Sequence, residues 1–441
     1  MNPSSTIAAL ASGSGRAGVA VVRVSGPQAC NTLLALAGRL PPPRRATRSA
    51  LKNTSGETID QALVLWFPGP ASFTGEDVAE FHVHGGQAVI AAVLQALLAV
   101  PEVRLSEPGE FTRRAFEYGK LDLTAAEGLA DLVDAETEGQ RRQALRQMQG
   151  GLQSVYDGWR AQLLSIVALV EAEIDFPDED LPDALASRAD PLIGALLWEM
   201  SHHLNDRARG ERIRDGYRIA IIGAPNAGKS SLLNALVGRE AAIVSDIPGT
   251  TRDVVEARLT LAGFPVWLAD TAGLRQAADT IEAEGIRRAL ARAEEADLRL
   301  IVIDAANPAP IADAAKSDDI VVWNKSDLND AQASTPQQGA AHHHVNVSTK
   351  TGIGLAQLLG DITARVAQDL AASEAPAISR ARHRVLVSEA ATYLTSAQTA
   401  AAPELAAEHL RRAADALGRL TGRIDVEEVL GEIFGRFCIG K

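Results

Sequence analysis

Three patterns of apolar and polar positions follow one another along the 441 residues, and each predicts a different kind of structure. Up to about residue 118, short apolar stretches run into turn formers. Val19-Ala20-Val21-Val22-Arg23-Val24 precedes Ser25-Gly26-Pro27, Ala62 to Phe67 precedes Pro68-Gly69-Pro70, and Val78 to Val83 leads to Gly85-Gly86. Segments of this length bounded by Gly and Pro are expected as strands, and Ala88 to Leu98 after the third as a helix. The segment 1–118 is therefore expected to be an α+β domain. Pro41-Pro42-Pro43-Arg44-Arg45 is a loop inside it with no assigned function.

From residue 119 the period lengthens. Leu145, Met148, Leu152, Val155, Trp159, Leu163, Ile166 and Val170 recur at spacings of three and four, a core-facing helical stripe. Thr124 with Glu127 three residues later reads as a capping box opening this region, and Asp175-Phe176-Pro177 closes it. A further amphipathic helix carries Leu192, Leu196, Met200 and Leu204. The same texture returns after Gln368, with helices expected over 381–397, over 404–420 stopped by Gly422, and over 425–434 with Asp425 and Glu428 as cap partners. Between the two helical stretches, continuous apolar runs such as Ile219-Ala220-Ile221-Ile222 and Ile320-Val321-Val322-Trp323 predict buried strands. The expected order is an α+β domain (1–118), a first helical segment (119–214), an α/β domain (215–367) and a second helical segment (368–441). The α/β domain is thus inserted into a discontinuous helical one.

Composition adds limits. The length suits about three domains, and no apolar stretch reaches the roughly 18 residues of a membrane helix. Cys30 and Cys438 are the only cysteines, and no basic flank precedes an apolar leader, which together favour a reducing cytoplasm and no membrane. A net charge of −13 and 4% aromatic residues argue against gripping nucleic acid through the overall field. If RNA is a substrate, its basic surface must be local or come from a partner.

Candidate chemistry centres on Gly223-Ala224-Pro225-Asn226-Ala227-Gly228-Lys229-Ser230, two glycines five apart followed by Lys and Ser, between an expected strand and an expected helix. Glycine lets successive amides turn inward around phosphate oxygens. Lys229 then meets the β- and γ-phosphates and Ser230 a Mg²⁺ ion. Asp270-Thr271-Ala272-Gly273 ends the next strand, with a carboxylate for Mg²⁺ through water and a Gly273 amide for the γ-phosphate. Thr250-Thr251 sits in a loop suited to a switch whose hydroxyl ligates the metal. Asn324-Lys325-Ser326-Asp327 follows a strand, and Asp327 can accept two hydrogen bonds from guanine that adenine cannot offer. Ser348-Thr349-Lys350 can bring a backbone amide to guanine O6. Together these elements predict a P-loop GTPase using GTP and Mg²⁺. Leu274 stands where Ras-type enzymes carry a water-orienting Gln, so another residue must do that work. Arg275 is either a finger in cis or a solvated switch residue, and Glu282 either orients water or is an acidic helix N-terminus.

Further stretches give the chain a resemblance along its whole length to the MnmE (TrmE) family of tRNA modification GTPases. They are Gly15-Arg16-x-Gly18-Val19 with Arg23, Phe73-Thr74-Gly75-Glu76-Asp77, His84-Gly85-Gly86, Pro108-Gly109-Glu110-Phe111-Thr112-x-Arg114-Ala115-Phe116 and Lys120-Leu121-Asp122-Leu123. Asp246-x-Pro248-Gly249-Thr250-Thr251-Arg252-Asp253 and the terminal Phe437-Cys438-Ile439-Gly440-Lys441 complete them. The resemblance implies a homodimer that forms a heterotetramer with the FAD protein MnmG (GidA). Together they add an aminomethyl-type group at C5 of the wobble uridine (U34) of certain tRNAs, with 5-formyl- or methylene-tetrahydrofolate as one-carbon donor. It implies a folate-binding, dimerising N-terminal domain with Arg23, Glu80, Lys120 and Lys441 at the folate, and Cys438 in the modification chemistry. It assigns water orientation to Glu282, catalysis also to Lys229, and a K⁺ site to Asn226, Ser245, Ile247 and Thr250. The nucleotide contacts it implies are Asn226, Ala227, Gly228, Lys229, Ser230 and Ser231, then Ser245, Asp246, Ile247, Pro248, Gly249, Thr250 and Thr251. Asp270, Thr271, Ala272, Gly273, Asn324, Lys325, Asp327 and Ser348 follow, with Mg²⁺ on Ser230 and Thr251. Thr349 stands where the family usually has Ala. A GTP-gated ribosome-assembly factor and a regulatory folate-binding scaffold are the competing readings. The flanks of the nucleotide domain carry no basic cluster with aromatics of the kind an assembly factor needs. His342-His343-His344 is expected in a polar loop, with no further metal ligands in pattern.

Overall fold

The computed structural model describes residues 5–13, 15–175, 185–206, 208–239, 256–270, 294–308, 317–328, 343–371, 376–422, 427–435, 437 and 440. The chain divides into two compact units, one of Met1–Ala130, Gln147–Leu196 and Glu389–Lys441, the other of Asp131–Arg146 and Leu197–Ser388.

The first unit holds a six-stranded sheet of β1 (Thr6–Leu10), β2 (Ala17–Ser25), β3 (Thr47–Lys52), β4 (Thr58–Phe67), β5 (Val78–Gly85) and β6 (Val103–Leu105), in the order β3-β4-β5-β2-β1-β6. All pairings are antiparallel except β1 with β6. Strand side chains alternate between faces, so Val22, Val24, Val64, Ala79, Phe81 and Val83 meet Leu33 and Leu97 of the helices Ala29–Ala37 and Gln87–Leu98 in one core. Arg23, Glu80, His82 and His84 therefore occupy the opposite face. In the same unit the helix Gly151–Asp175 packs against Pro403–Leu420; the first buries Leu152, Trp159, Leu163, Ile166 and Val170, the second Leu410 and Leu417.

Four details differ from the sequence reading. The helix that begins at Leu123 is capped by Asp122, whose carboxylate accepts from the Ala125 amide at 2.8 Å and from the Thr124 hydroxyl at 2.6 Å. Thr124 therefore donates to the cap instead of forming one. The apolar stripe is two helices, because Gly150 takes φ +85° and its amide donates to Gln147 at 2.9 Å, stopping Glu138–Met148 before Gly151 begins the next. Along that second helix it is Tyr156 that is buried, in place of Val155. In the helix Leu185–Leu204 it is Ile193 that is buried, while Leu192 is exposed.

The second unit is built on β7 (Tyr217–Gly223), β8 (Glu256–Leu261), β9 (Phe264–Asp270), β10 (Leu298–Asp304), β11 (Ile320–Asn324) and β12 (His343–Asn346), ordered β12-β11-β10-β7-β9-β8. Every pairing is parallel except β8 with β9. Parallel strands buried on both faces read as the continuous apolar runs seen in the sequence. Gly223, Asp270, Asp304 and Asn324 are the last residues of four neighbouring strands, and ligands of open parallel sheets bind at this end. The histidine run is not a loop over 343–344, which belong to β12: His343 Nε2 lies 2.9 Å from Asp361, and His344 Nδ1 accepts from the Trp323 indole at 3.2 Å. Pairing with β11 supplies the backbone partners that make it a strand. Among the described residues no His, Cys, Asp and Glu cluster is arranged to hold a metal.

Candidate guanine-nucleotide site

The phosphate loop leaves β7 at Gly223 and enters the helix Lys229–Val237 at Gly228, whose φ is +93°. Asn226 also lies in the left-handed region, at φ +63°. These turns bring the loop to the helix N-terminus, where the helix dipole favours anions. Lys229 is buried, and its ammonium donates to the carbonyls of Gly223 and Ala224, each at 2.9 Å, which holds the cation at the mouth of the loop. The Ser230 hydroxyl donates to the buried Asp270 carboxylate. A Mg²⁺ site needs these two oxygen groups together, one to ligate and one to hold a metal water, and β7 and β9 are adjacent strands.

Gly228 permits no side chain. A Cβ there would lie 2.2 Å from Asn324 Nδ2 in a backbone conformation already costly for other residues. Gly228→Ala should therefore weaken nucleotide binding by about 1 to 3 kcal/mol, as measured by nucleotide titration. An unchanged affinity would exclude this loop from the phosphate site.

The base-reading loop is tied to the phosphate loop by Asn324, whose buried amide donates to Ala227 O at 2.9 Å and accepts from the Thr349 amide at 3.3 Å. Three segments far apart in sequence are thereby fixed around one residue. Asp327 accepts from the Ser348 hydroxyl at 2.6 Å, and this bond before all else holds the Asp327 carboxyl below the ordinary aspartate value. An acceptor-only carboxylate at this point suits the two donors of guanine. The Ser348 amide itself donates to Ile353 O at 2.9 Å, and it is the hydroxyl of this fully buried residue that meets Asp327. Sequence reasoning looks to a backbone amide of the Ser348-Thr349-Lys350 stretch and does not anticipate this hydroxyl contact. It also misses Asp304, which accepts from the Lys325 ammonium at 2.6 Å. The register Asp304↔Asn324 of two strand ends is the signal that locates it.

A second cluster lies in the N-terminal unit. Arg23 and Glu80 are opposite residues on β2 and β5, and the Arg23 Nε donates to Glu80 at 3.0 Å. His82 Nε2 is 3.1 Å from the other Glu80 oxygen. The Arg23 guanidinium sits over the rings of Phe73 and Phe111, at 5.5 and 5.9 Å. Lys120 is exposed, with its stem over Gly75, in the same turn as Phe73. A Cβ on Gly440 would lie 2.0 Å from Leu10 O, and Leu10 pairs with Val22, next to Arg23. Gly440 thus packs against the end of β1, the strand beside β2. Of the sites expected from the sequence, Ser245 to Thr251, Thr271 to Gly273, Glu282, Cys438 and Lys441 lie outside the described residues.

A parallel sheet whose central strand feeds a phosphate loop, with an Asn-Lys-x-Asp loop stitched to it, defines a P-loop guanine-nucleotide-binding protein. Residues 123–438 match the MnmE helical domain model and residues 6–120 the model of the GTP-binding protein TrmE N-terminus. A tRNA modification GTPase MnmE from Maricaulis maris (strain MCS10) is 55% identical, covering 99% of each chain. One from Parvibaculum lavamentivorans is 54% identical over 99% of this chain and 100% of its own, and one from Rhodospirillum rubrum 53% over 99% of each. The chain belongs to the MnmE family of tRNA modification GTPases.

Proposed function

We propose that this chain is a K⁺-dependent GTPase that works with MnmG (GidA) to install a carboxymethylaminomethyl-type or aminomethyl group at C5 of the wobble uridine of certain tRNAs. It acts in the cytoplasm as a homodimer within a heterotetramer, and FAD enters only through the partner. The observation that carries the nucleotide half is the Asp327–Ser348 contact beside the Asn324 link to the phosphate loop. Family membership supports the RNA half. The division into residues 1–118, 119–214, 215–367 and 368–441 belongs to the same reading.

Arg23, Glu80, Lys120 and Lys441 would hold a tetrahydrofolate, which supplies a one-carbon unit when bound. The Arg23–Glu80 pair beside the half-buried Phe73 fits such a group: a carboxylate accepts from a pterin amine, an aromatic face covers a flat ring, and cations suit a glutamate tail, while the fully buried Phe111 backs the Arg23 guanidinium from the core side. Ser230 and Thr251 would hold Mg²⁺. Lys229 binds the phosphates, Glu282 orients water, and Cys438 serves the modification.

Wobble uridines analysed by mass spectrometry in a deletion strain should lack the modification, and a Cys438→Ser strain should match it while its purified protein still hydrolyses GTP. Normal uridines in the deletion strain would remove the chain from tRNA modification and favour a ribosome-assembly role.

The charge that develops on the phosphates in the transition state is commonly met by an arginine, a contribution of roughly 10³ to 10⁵ in rate. A K⁺ ion held by the Asn226 side chain and by Ser245, Ile247 and Thr250 would occupy that place. Turnover should be fast in K⁺ and slow in Na⁺, and equal rates at equal ionic strength would end this idea. Glu282→Ala should lower kcat with nucleotide affinity nearly intact, because orienting water acts in the transition state. A tenfold loss of affinity with normal turnover would make Glu282 a helix cap instead.

A further inference from the structure

The first 56 residues carry seven Lys and Arg side chains and no Asp or Glu, in a chain of net charge −13. Five of the seven, Arg39, Arg44, Arg45, Arg48 and Lys52, fall in one short segment that turns into β3, the edge strand of its sheet. All five are exposed, and among the described residues none of the four arginines forms an ion pair with a carboxylate.

The segment is also held in shape. Prolines 41 to 43 restrict the backbone, the Arg44 amide donates to Trp66 O at 2.8 Å, and the Arg45 amide to Pro42 O at 3.2 Å. The Arg44 guanidinium donates to Ala71 O and lies 5.6 Å from the Phe67 ring. Arg39 donates to Arg48 O at 2.7 Å, which brings its guanidinium beside the start of β3. Like charges held close without counter-charges repel one another, and an arriving polyanion relieves that repulsion.

We propose that this turn is an RNA-docking surface that binds the sugar-phosphate backbone of the tRNA, an inference that rests on the family's tRNA substrate. Guanidinium forks match phosphate oxygens in bidentate fashion. Leu40 is the one exposed large apolar side chain of the segment, too little for the apolar centre that a stable protein interface needs. A local basic surface also resolves how an acidic chain meets RNA at all. The bland reading is that charges on an edge strand guard against aggregation.

Binding of an unmodified tRNA transcript to the full chain as a function of salt tests this, with wild type compared against Arg45→Ala/Arg48→Ala and Arg45→Glu/Arg48→Glu. Each lost phosphate contact lowers the log–log salt slope by about 0.7 to 0.9, so the double alanine variant should bind about 10- to 100-fold more weakly at about 0.1 M salt, with a slope shallower by nearly 2. The glutamate variant should be weaker still, and GTP hydrolysis unchanged in both. Equal tRNA affinity and slope in all three proteins would overturn the proposal, as would a wild type that binds no tRNA. Aggregation of the variants with unchanged RNA binding would assign the charges to edge protection, and loss of an acidic protein's binding alone would assign them to that protein. Wobble uridine in the deletion strain, read separately, shows whether the underlying reading or only the docking surface has failed.

Discussion

Asp327→Asn should weaken GTP binding by about 2 to 4 kcal/mol, the loss expected when a charged acceptor of two hydrogen bonds becomes neutral and half donor. The Ser348 hydroxyl donates to Asp327 at 2.6 Å, and keeping that bond in the variant sets the amide oxygen against Ser348 and the amide nitrogen toward the nucleotide. That nitrogen opposes the guanine donors and suits xanthine, whose O2 accepts where guanine's amine donates. Affinity for xanthine nucleotides should therefore rise as GTP affinity falls. Ser348→Ala should give a smaller loss of GTP with no gain for xanthine, because it frees the carboxylate without changing its chemistry. Titration with fluorescent guanine and xanthine nucleotides measures all of this. Unchanged GTP affinity in Asp327→Asn would remove that residue from base recognition.

Arg114→Met should destabilise the N-terminal sheet by about 3 to 5 kcal/mol, the cost of leaving buried charge without its partner. Arg114 donates to Glu76 at 3.0 and 3.1 Å and to Glu110 at 2.9 Å, with all three side chains almost wholly buried. Glu110 is further held by Arg104 at 2.5 and 2.8 Å, and Glu76 by the Ser25 hydroxyl at 2.7 Å. Burial alone would raise the Glu110 carboxyl, but hydrogen bonds from Arg104, the Glu107 amide and Arg114 outweigh it and hold the group below its ordinary value. A depressed carboxylate contributes stability that is present above the unfolded glutamate value of about 4.3 and is lost as pH falls through the folded one. The gap between wild type and variant should accordingly be full at neutral pH and shrink below about pH 4. Hydrogen exchange of the β2 and β5 amides reads this locally, which matters in a chain of two units where a single unfolding transition is not assured. Wild-type protection of those amides in the variant would show that the network contributes nothing to the sheet. Arg114→Lys should not rescue it, since an ammonium cannot reach two carboxylates as a fork.

The features of this protein that its sequence determined are those whose chemistry depends on a few adjacent residues. A phosphate loop needs a strand end, two glycines, a lysine and a serine in a row, so Gly223 to Ser230 was legible before any fold. Asn324 to Asp327 was legible for the same reason, whereas Arg23 and Glu80 were legible only through the resemblance to the family, and their place opposite the core face came from the sheet. Local pattern misled where one residue decides between close alternatives. Asp122 takes the cap from Thr124, Gly150 splits a stripe that spacing alone makes continuous, and two histidines of a polar run become an edge strand once β11 offers them backbone partners. Tertiary structure alone decided the contacts that complete the sites. Asn324 reaches Ala227 across 97 positions, Lys325 meets Asp304, and Ser348 meets Asp327 because parallel strands bring residues from distant crossovers to one edge of the sheet. Glu76, Glu110, Arg104 and Arg114 neutralise one another in the N-terminal unit for a similar reason. Periodicity states which face of an element is buried, but the partner it is buried against is set by topology, and only there does a buried charge find the counter-charge that makes its burial affordable.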